Sequence, residues 1–401
     1  MWRRYGDGVF AVLALTVFTC EAVVLGVLTA SAVLRATGTS RPETAAAVVM
    51  MTLIITFISL TVVTAYVLAY HKMSERREQL HAERMQHWTT RWTKILLAGE
   101  SQPNAYLPDE ALDALLSLRD VLSGTEGVRI ATLLRQYHVG SRLSHRLHSP
   151  KQLKRLEVLE ALARARTPEA IPDLLVQLED PEPRIRLLAA RALARTIATL
   201  PPGSTRDAVA ASLAGALERA ALPVGVVEQV FLLLEDAAPR TLRILLDHDD
   251  LSPTLRRAAL EAIGRLGLPG FDRDLAAAGG DLEPNIRAAG LRALGEVGHL
   301  PAQAAAGLRA GFADAVEFVR IQASRSGWLL GEAAIPLLWS ALGDRSWWVR
   351  RAAGEALLRL DEPGRETLER AGREHHDRYA REMAAQTLRD APAPEQVGGA
   401  A

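Results

Sequence analysis

The sequence predicts an all-α protein whose C-terminal three-quarters is a solenoid of about 7–8 stacked helix pairs, preceded by a two-helix transmembrane hairpin. Three observations carry the solenoid. A basic residue recurs at helical-repeat spacing: Lys154, Arg186, Arg256, Arg287, Arg320, Arg350 and Arg381, at intervals of 32, 70, 31, 33, 30 and 31. The interval of 70 splits into 40 and 30 if Pro223–Val226 is a degenerate copy. An aspartate stands six residues before five of them, at Asp180, Asp250, Asp281, Asp314 and Asp344. An Ala/Leu-rich run follows each. Self-similarity at this period specifies an array of helix pairs rather than one closed globule.

The chain opens with two long apolar runs, about 9–34 and 44–70, the first interrupted by Glu21 and the second without a charge. Each exceeds the ~20 residues a helix needs to cross a bilayer. Gly38 and Pro42 lie in the short break between them, so residues 1–70 read as a transmembrane hairpin. A cleaved signal peptide is the rival, with Ala30-Ser31-Ala32 resembling a cleavage site. The first run is too long for an h-region of ~7–15 residues and contains a carboxylate. Lys72, Arg76, Arg77, Arg84, Arg91 and Lys94 after the second run place both termini in the cytoplasm and the chain in an inner or plasma membrane. Glu21 admits two readings: contact with a partner's transmembrane helix or a proton-linked site, or a contact to the Thr52, Thr56 and Ser59 stripe of the second helix.

Residues 71–100 read as a juxtamembrane basic amphipathic helix, with Trp88 and Trp92 one turn apart. It either rests on anionic lipid or packs its tryptophan face on the first helices of the array. Residues 101–149 form a helical capping region, with helices expected at 109–121, 128–138 and 141–147.

The solenoid spans 150–390. In its clearest copy, Ile171, Leu174, Leu175 and Leu178 share one helix face. Asp180-Pro181 makes the turn, and Ile185, Leu188, Ala189, Ala192 and Leu193 face inward from the second helix. The aspartate therefore falls in the turn between helices. Stacking brings it to the arginine of its own or a neighbouring repeat, so Asp180/Arg186, Asp250/Arg256, Asp281/Arg287, Asp314/Arg320 and Asp344/Arg350 are expected to form a structural ladder. Residues 391–401, rich in Pro, Gly and Ala, are expected to be a disordered tail.

The Asp…Ile/Val-Arg…Ala-Ala…Ala-Leu pattern of 180–193, where Pro181 follows the aspartate, and of 344–357, with the copy at 283–294, resembles HEAT repeats of the short kind shared with phycobilisome-lyase-like proteins. The resemblance implies the fold. It is nearly silent on function, because that family holds scaffolds, chromophore lyases and an iron-dependent hydroxylase. The hydroxylases bind iron through His-Glu pairs, and none of the ten histidines here is followed by Glu.

Composition narrows the partners. Lys+Arg and Asp+Glu balance at 47 each, which gives no basic excess for nucleic acid. The single Cys20 excludes an internal disulfide framework. No catalytic constellation, metal set, cofactor loop or small-molecule site is evident. Aromatics are the candidates for binding. Two residues before the repeat arginine stand Phe318, Trp348 and Tyr379, and Trp347 adjoins one of them. Aromatics beside arginine are what protein interfaces favour. The expected function is thus a non-enzymatic, membrane-anchored scaffold presenting this stripe to a protein partner at the membrane, for which a polysaccharide-synthesising glycosyltransferase complex is one expectation. A phycobilisome-lyase-like enzyme and a transport or signalling subunit using Glu21 are the alternatives.

Overall fold

The computed structural model describes residues 42–99, 107–248 and 251–391, with Gly26, Val27 and Ser31. Every regular element among them is helical. The chain forms two compact units, residues 1–118 and 119–401.

In the first unit, α1 (Pro42–Thr93) runs 52 residues and ends in a π-helical turn at Lys94–Ala98. Apolar side chains along it, Phe57 and Leu68 among them, are exposed. Its far end is anchored by Trp92, which is fully buried and donates its indole N–H to the Ala111 carbonyl at 2.9 Å. Ala111 lies in α2 (Asp109–Val121), whose Ala114, Leu115 and Leu116 are also buried. The tryptophan face of 71–100 thus packs on protein.

The expected membrane hairpin is corrected. No helix among the described residues is long and apolar enough to cross a membrane. The uncharged stretch of α1, residues 44–70, carries polar side chains. It includes Ser59, Thr61, Thr64 and Tyr66, and it continues without a break into His71, Lys72 and Glu75. The inner-membrane placement and the lipid-bilayer partner lose their support with it. The run 9–34, Glu21 and the tail 392–401 lie outside the described residues, as do the side chains of Thr52 and Thr56.

The second unit continues with α3 (Gly124–Gln136) and then eight antiparallel pairs. These are α4 (Val139–Leu147) with α5 (Gln152–Ala165), α6 (Ile171–Gln177) with α7 (Pro183–Ala198), and α8 (Ser204–Ala220) with α9 (Val224–Leu232). Next come α10 (Ala238–Leu246) with α11 (Pro253–Leu266), and α12 (Asp272–Ala278) with α13 (Pro284–Val297). The last are α14 (Ala305–Gly311) with α15 (Glu317–Ser326), α16 (Ile335–Leu342) with α17 (Trp347–Leu358), and α18 (Asp361–Glu374) with α19 (Arg378–Asp390). The first pair starts at Val139, inside the region read as a cap.

Stacking runs chiefly through the second helix of each pair: α5 on α7, α9 on α11, then α11, α13, α15, α17 and α19 in succession. Proline opens α7, α11 and α13 at a position whose N–H would be unpaired anyway. Ala189 and Ala192, predicted to face inward, are buried, and so are Ala289, Ala293, Ala353 and Ala356 of later copies. Close approach explains the choice. At Gly290 an added Cβ would lie 2.6 Å from the Ala278 Cβ of the partner helix, so even one methyl overfills the seam. Leucines complete the core, with Leu338, Leu342, Val349, Leu357, Leu368 and Met383 forming its C-terminal end.

Candidate functional site

The repeat aspartate does three things at once. One carboxylate oxygen accepts the N–H two residues ahead: Asp180 from Glu182, Asp281 from Glu283, Asp314 from Val316 and Asp344 from Ser346, at 2.8–2.9 Å. The backbone carbonyl accepts an Nη1 hydrogen from the arginine six residues on, at Arg186, Arg287, Arg320 and Arg350. The carboxylate also receives the arginine of the preceding repeat. Arg287 reaches Asp314 at 2.8 and 3.1 Å, and Arg320 reaches Asp344 at the same distances, both through two N–H groups.

Such bidentate, charge-assisted pairs are the strong ones. Burial opposes ionisation of Asp314 and Asp344. The arginine and turn N–H bonds outweigh it, and both carboxyls are held below the usual aspartate range. The Asp344 bond in turn raises Arg320. The arginines predicted to be structural are therefore linkers from repeat to repeat.

The ladder is discontinuous, and each break has a cause. Its first rung is Arg155 to Asp180 at 2.9 Å, so the basic residue of that copy is Arg155, one position after Lys154. Among the described residues Arg186 finds no carboxylate in the degenerate copy at Val224, and its buried Nε has no hydrogen-bond partner. Other pairs hold this stretch, Arg206 to Asp236 at 2.8 Å and Arg240 to Asp207 at 3.1 Å. Arg256 meets Asp281 only at 3.5 Å, and Asp250 lies outside the described residues.

At the last rung His375 occupies the aspartate position. It is buried. Its Nδ1 accepts the Asp377 N–H at 3.1 Å, reproducing the aspartate's turn bond, and Nε2 lies 3.2 Å from the Trp339 carbonyl. An imidazole in this role carries no negative charge for Arg350. The Arg350 Nε is accordingly without a hydrogen-bond partner among the described residues, and its guanidinium lies over the Tyr379 ring, 5.3 Å from the centroid.

That displacement joins the ladder to the aromatic row. Phe318, Trp348 and Tyr379 each take the second position of α15, α17 and α19. They are 41%, 57% and 60% exposed on helices that pack side by side, whereas Trp328 and Trp339 are partly covered. Trp347 meets Trp348 edge-on at 4.6 Å, and Arg351 lies over Trp347. Of the four predicted aromatics, Tyr379 thus lies against Arg350 and Trp347 against Arg351, while Phe318 and Trp348 are exposed at the matching helix positions. Arg359 lies 3.6 Å from the Trp328 ring centre, a contact with no spacing signal in the sequence.

Residues 141–225 match the family described as HEAT repeats, and residues 334–362 match that described as HEAT repeat. HEAT repeats are thus present in these two stretches. Among solved structures, Kap121p bound to Ste12p is 14% identical with a TM-score of 0.45; the alignment covers 75% of this chain and 39% of that one. The karyopherin Kap121p bound to the SUMO protease Ulp1p is also 14% identical at TM-score 0.45, over 92% of this chain and 41% of that one. Human deoxyhypusine hydroxylase in complex with glycerol is 20% identical at TM-score 0.25, over 77% of this chain and 96% of that one. This chain therefore spans well under half the length of the karyopherin, and likenesses at these values assign no activity. No curated protein matches.

Proposed function

We propose that this HEAT-repeat chain is a non-enzymatic scaffold that docks a protein partner on the aromatic row Phe318, Trp347, Trp348 and Tyr379. One observation carries the reading: three exposed aromatics recur at one register on adjacent stacked helices, and the last of them, Tyr379, lies against Arg350, whose aspartate partner is replaced by His375. Aromatic rings lose little rotamer freedom on docking, and an arginine with spare donors adds direction, which is the composition of interface hot spots. The fitting partner presents apolar side chains with a carboxylate placed to reach Arg350.

The test is affinity capture with the wild-type chain and with Phe318→Ala/Trp348→Ala, read by quantitative mass spectrometry and checked by circular dichroism. Expected is loss of a discrete set of captured proteins at unchanged helicity. Retention of the whole set in the variant rejects the surface; loss of helicity assigns the aromatics to the fold instead.

A further inference from the structure

A cleft at the other end of the array unit is used by neither the ladder nor the aromatic row. It holds about 490 Å³, and Arg119, Arg135 and Arg166 line it together with Leu122, Val128 and Leu200. None of these three arginines makes an ion pair among the described residues. The Nε atoms of Arg119 and Arg166 are buried without a hydrogen-bond partner. Arg119 gives one Nη hydrogen to the Gly127 carbonyl, and Arg135 reaches only the Thr132 hydroxyl of its own helix, at 3.4 Å. The nearby Asp120 is held by Arg164 at 2.8 Å.

The guanidiniums also oppose one another. Burial and then the charge of Arg166 lower the pKa of Arg119. Burial, Arg166 and Arg191, in that order, do the same to Arg195. The chain has no net charge, so this concentration of cations is local. Thr167, a buried residue of the cleft wall, has a hydroxyl with no hydrogen-bond partner among the described residues, and that hydroxyl lies beside Gly140 of α4.

The cleft also meets the start of α3 at Ser123 and Gly124. Ser123 makes no side-chain capping bond, so the first-turn amides of this thirteen-residue helix are available to an anion. Forked guanidiniums and a helix N-terminus suit a dianion with several oxygens, and the aliphatic wall suits an organic body beside it. We infer that the cleft binds a small organic phosphate, its monoester head on Arg119, Arg135, Arg166 and the amides of α3, its body along Leu122, Val128 and Leu200. This inference is independent of the aromatic docking row.

The experiment is calorimetric titration of the full chain, in phosphate-free buffer of low ionic strength, with phenyl phosphate, inorganic phosphate and phenol. Phenyl phosphate is expected to bind roughly tenfold tighter than inorganic phosphate, because only it buries apolar surface as well. Phenol is expected not to bind. Arg166→Gln and Arg135→Gln are each expected to weaken phenyl phosphate by about tenfold, the scale of one charge-assisted contact.

Arg166→Gln is further expected to leave the ligand-free melting temperature unchanged or raised, since it relieves repulsion. A purely structural arginine would lower it. Three results overturn the inference: no phosphate binding at millimolar concentration, equal affinity in wild type and both variants, or inorganic phosphate binding as tightly as phenyl phosphate. A tyrosine-phosphorylated peptide that binds tighter than phenyl phosphate overturns the small-ligand assignment.

Discussion

Replacing Arg320 by methionine removes the most buried rung of the ladder while keeping an unbranched side chain of similar length. The Arg320 side chain is 7% exposed and its Asp344 partner 14%. Four hydrogen bonds disappear: two to Asp344 at 2.8 and 3.1 Å, and two to the Asp314 and Ala315 carbonyls at 3.0 and 3.2 Å. Asp344 is left ionised in the seam with only the Ser346 N–H. Stranding one member of a buried pair costs about 3–5 kcal/mol.

Arg350→Met is the internal control. It loses the same kind of carbonyl bonds, at 2.9 and 3.3 Å, but strands no carboxylate, because His375 stands where the aspartate would be. Its expected cost is about 1–2 kcal/mol. Guanidinium unfolding followed by circular dichroism measures both. Arg320→Met/Asp344→Leu is expected to be less destabilised than Arg320→Met alone, since no charge is left unpaired. Equal costs for Arg320→Met and Arg350→Met would refute the carboxylate's part in the ladder.

Further outcomes follow from the same geometry. Asp314 and Asp344 titrate below their ordinary 3.8 in the folded chain, so their contribution is complete above that pH and is lost as pH falls through the lowered values; thermal melts from pH 5 to 2 test it. Glu296 behaves oppositely: burial raises it above 4.5, its contribution is present below 4.5 and fades as pH rises, so Glu296→Gln should stabilise at pH 7 and be neutral below pH 4.5. Gly290→Ala should cost about 1–3 kcal/mol by overpacking against Ala278, read as a lowered denaturation midpoint. Trp92→Ala should cost about 3–5 kcal/mol, because a fully buried indole and its bond to Ala111 are lost together; a loss under about 1 kcal/mol would contradict that packing.

The repeat was legible because its constraints are periodic. A turn needs a capping aspartate, the next helix needs an arginine to reach it, and the seam needs small residues, so Asp314, Arg320 and Ala323 recur in register. Exceptions to the period were harder to read. Lys154 occupied the expected position while its neighbour Arg155 makes the bond, because a shift of one residue is invisible to spacing. His375 breaks the aspartate pattern by residue type, although its imidazole nitrogen accepts the turn N–H as a carboxylate oxygen does. Its 31-residue offset from Asp344 was the available signal.

The Arg119–Arg166 cleft has no sequence signature, since its arginines come from separate turns. The expected membrane hairpin rests on hydropathy, the Gly38/Pro42 break and the flanking basic residues, and no described helix is long and apolar enough to uphold it.

Photo-cross-linking tests the docking row most directly. A benzophenone side chain is placed at Trp348 or Tyr379 and, as a control, at the exposed Val176 of α6. Irradiation in cells is expected to yield a discrete cross-linked protein from Trp348 and Tyr379 and none from Val176. Adducts formed only at Val176, or equally at all three positions, would contradict a docking surface centred on Arg350.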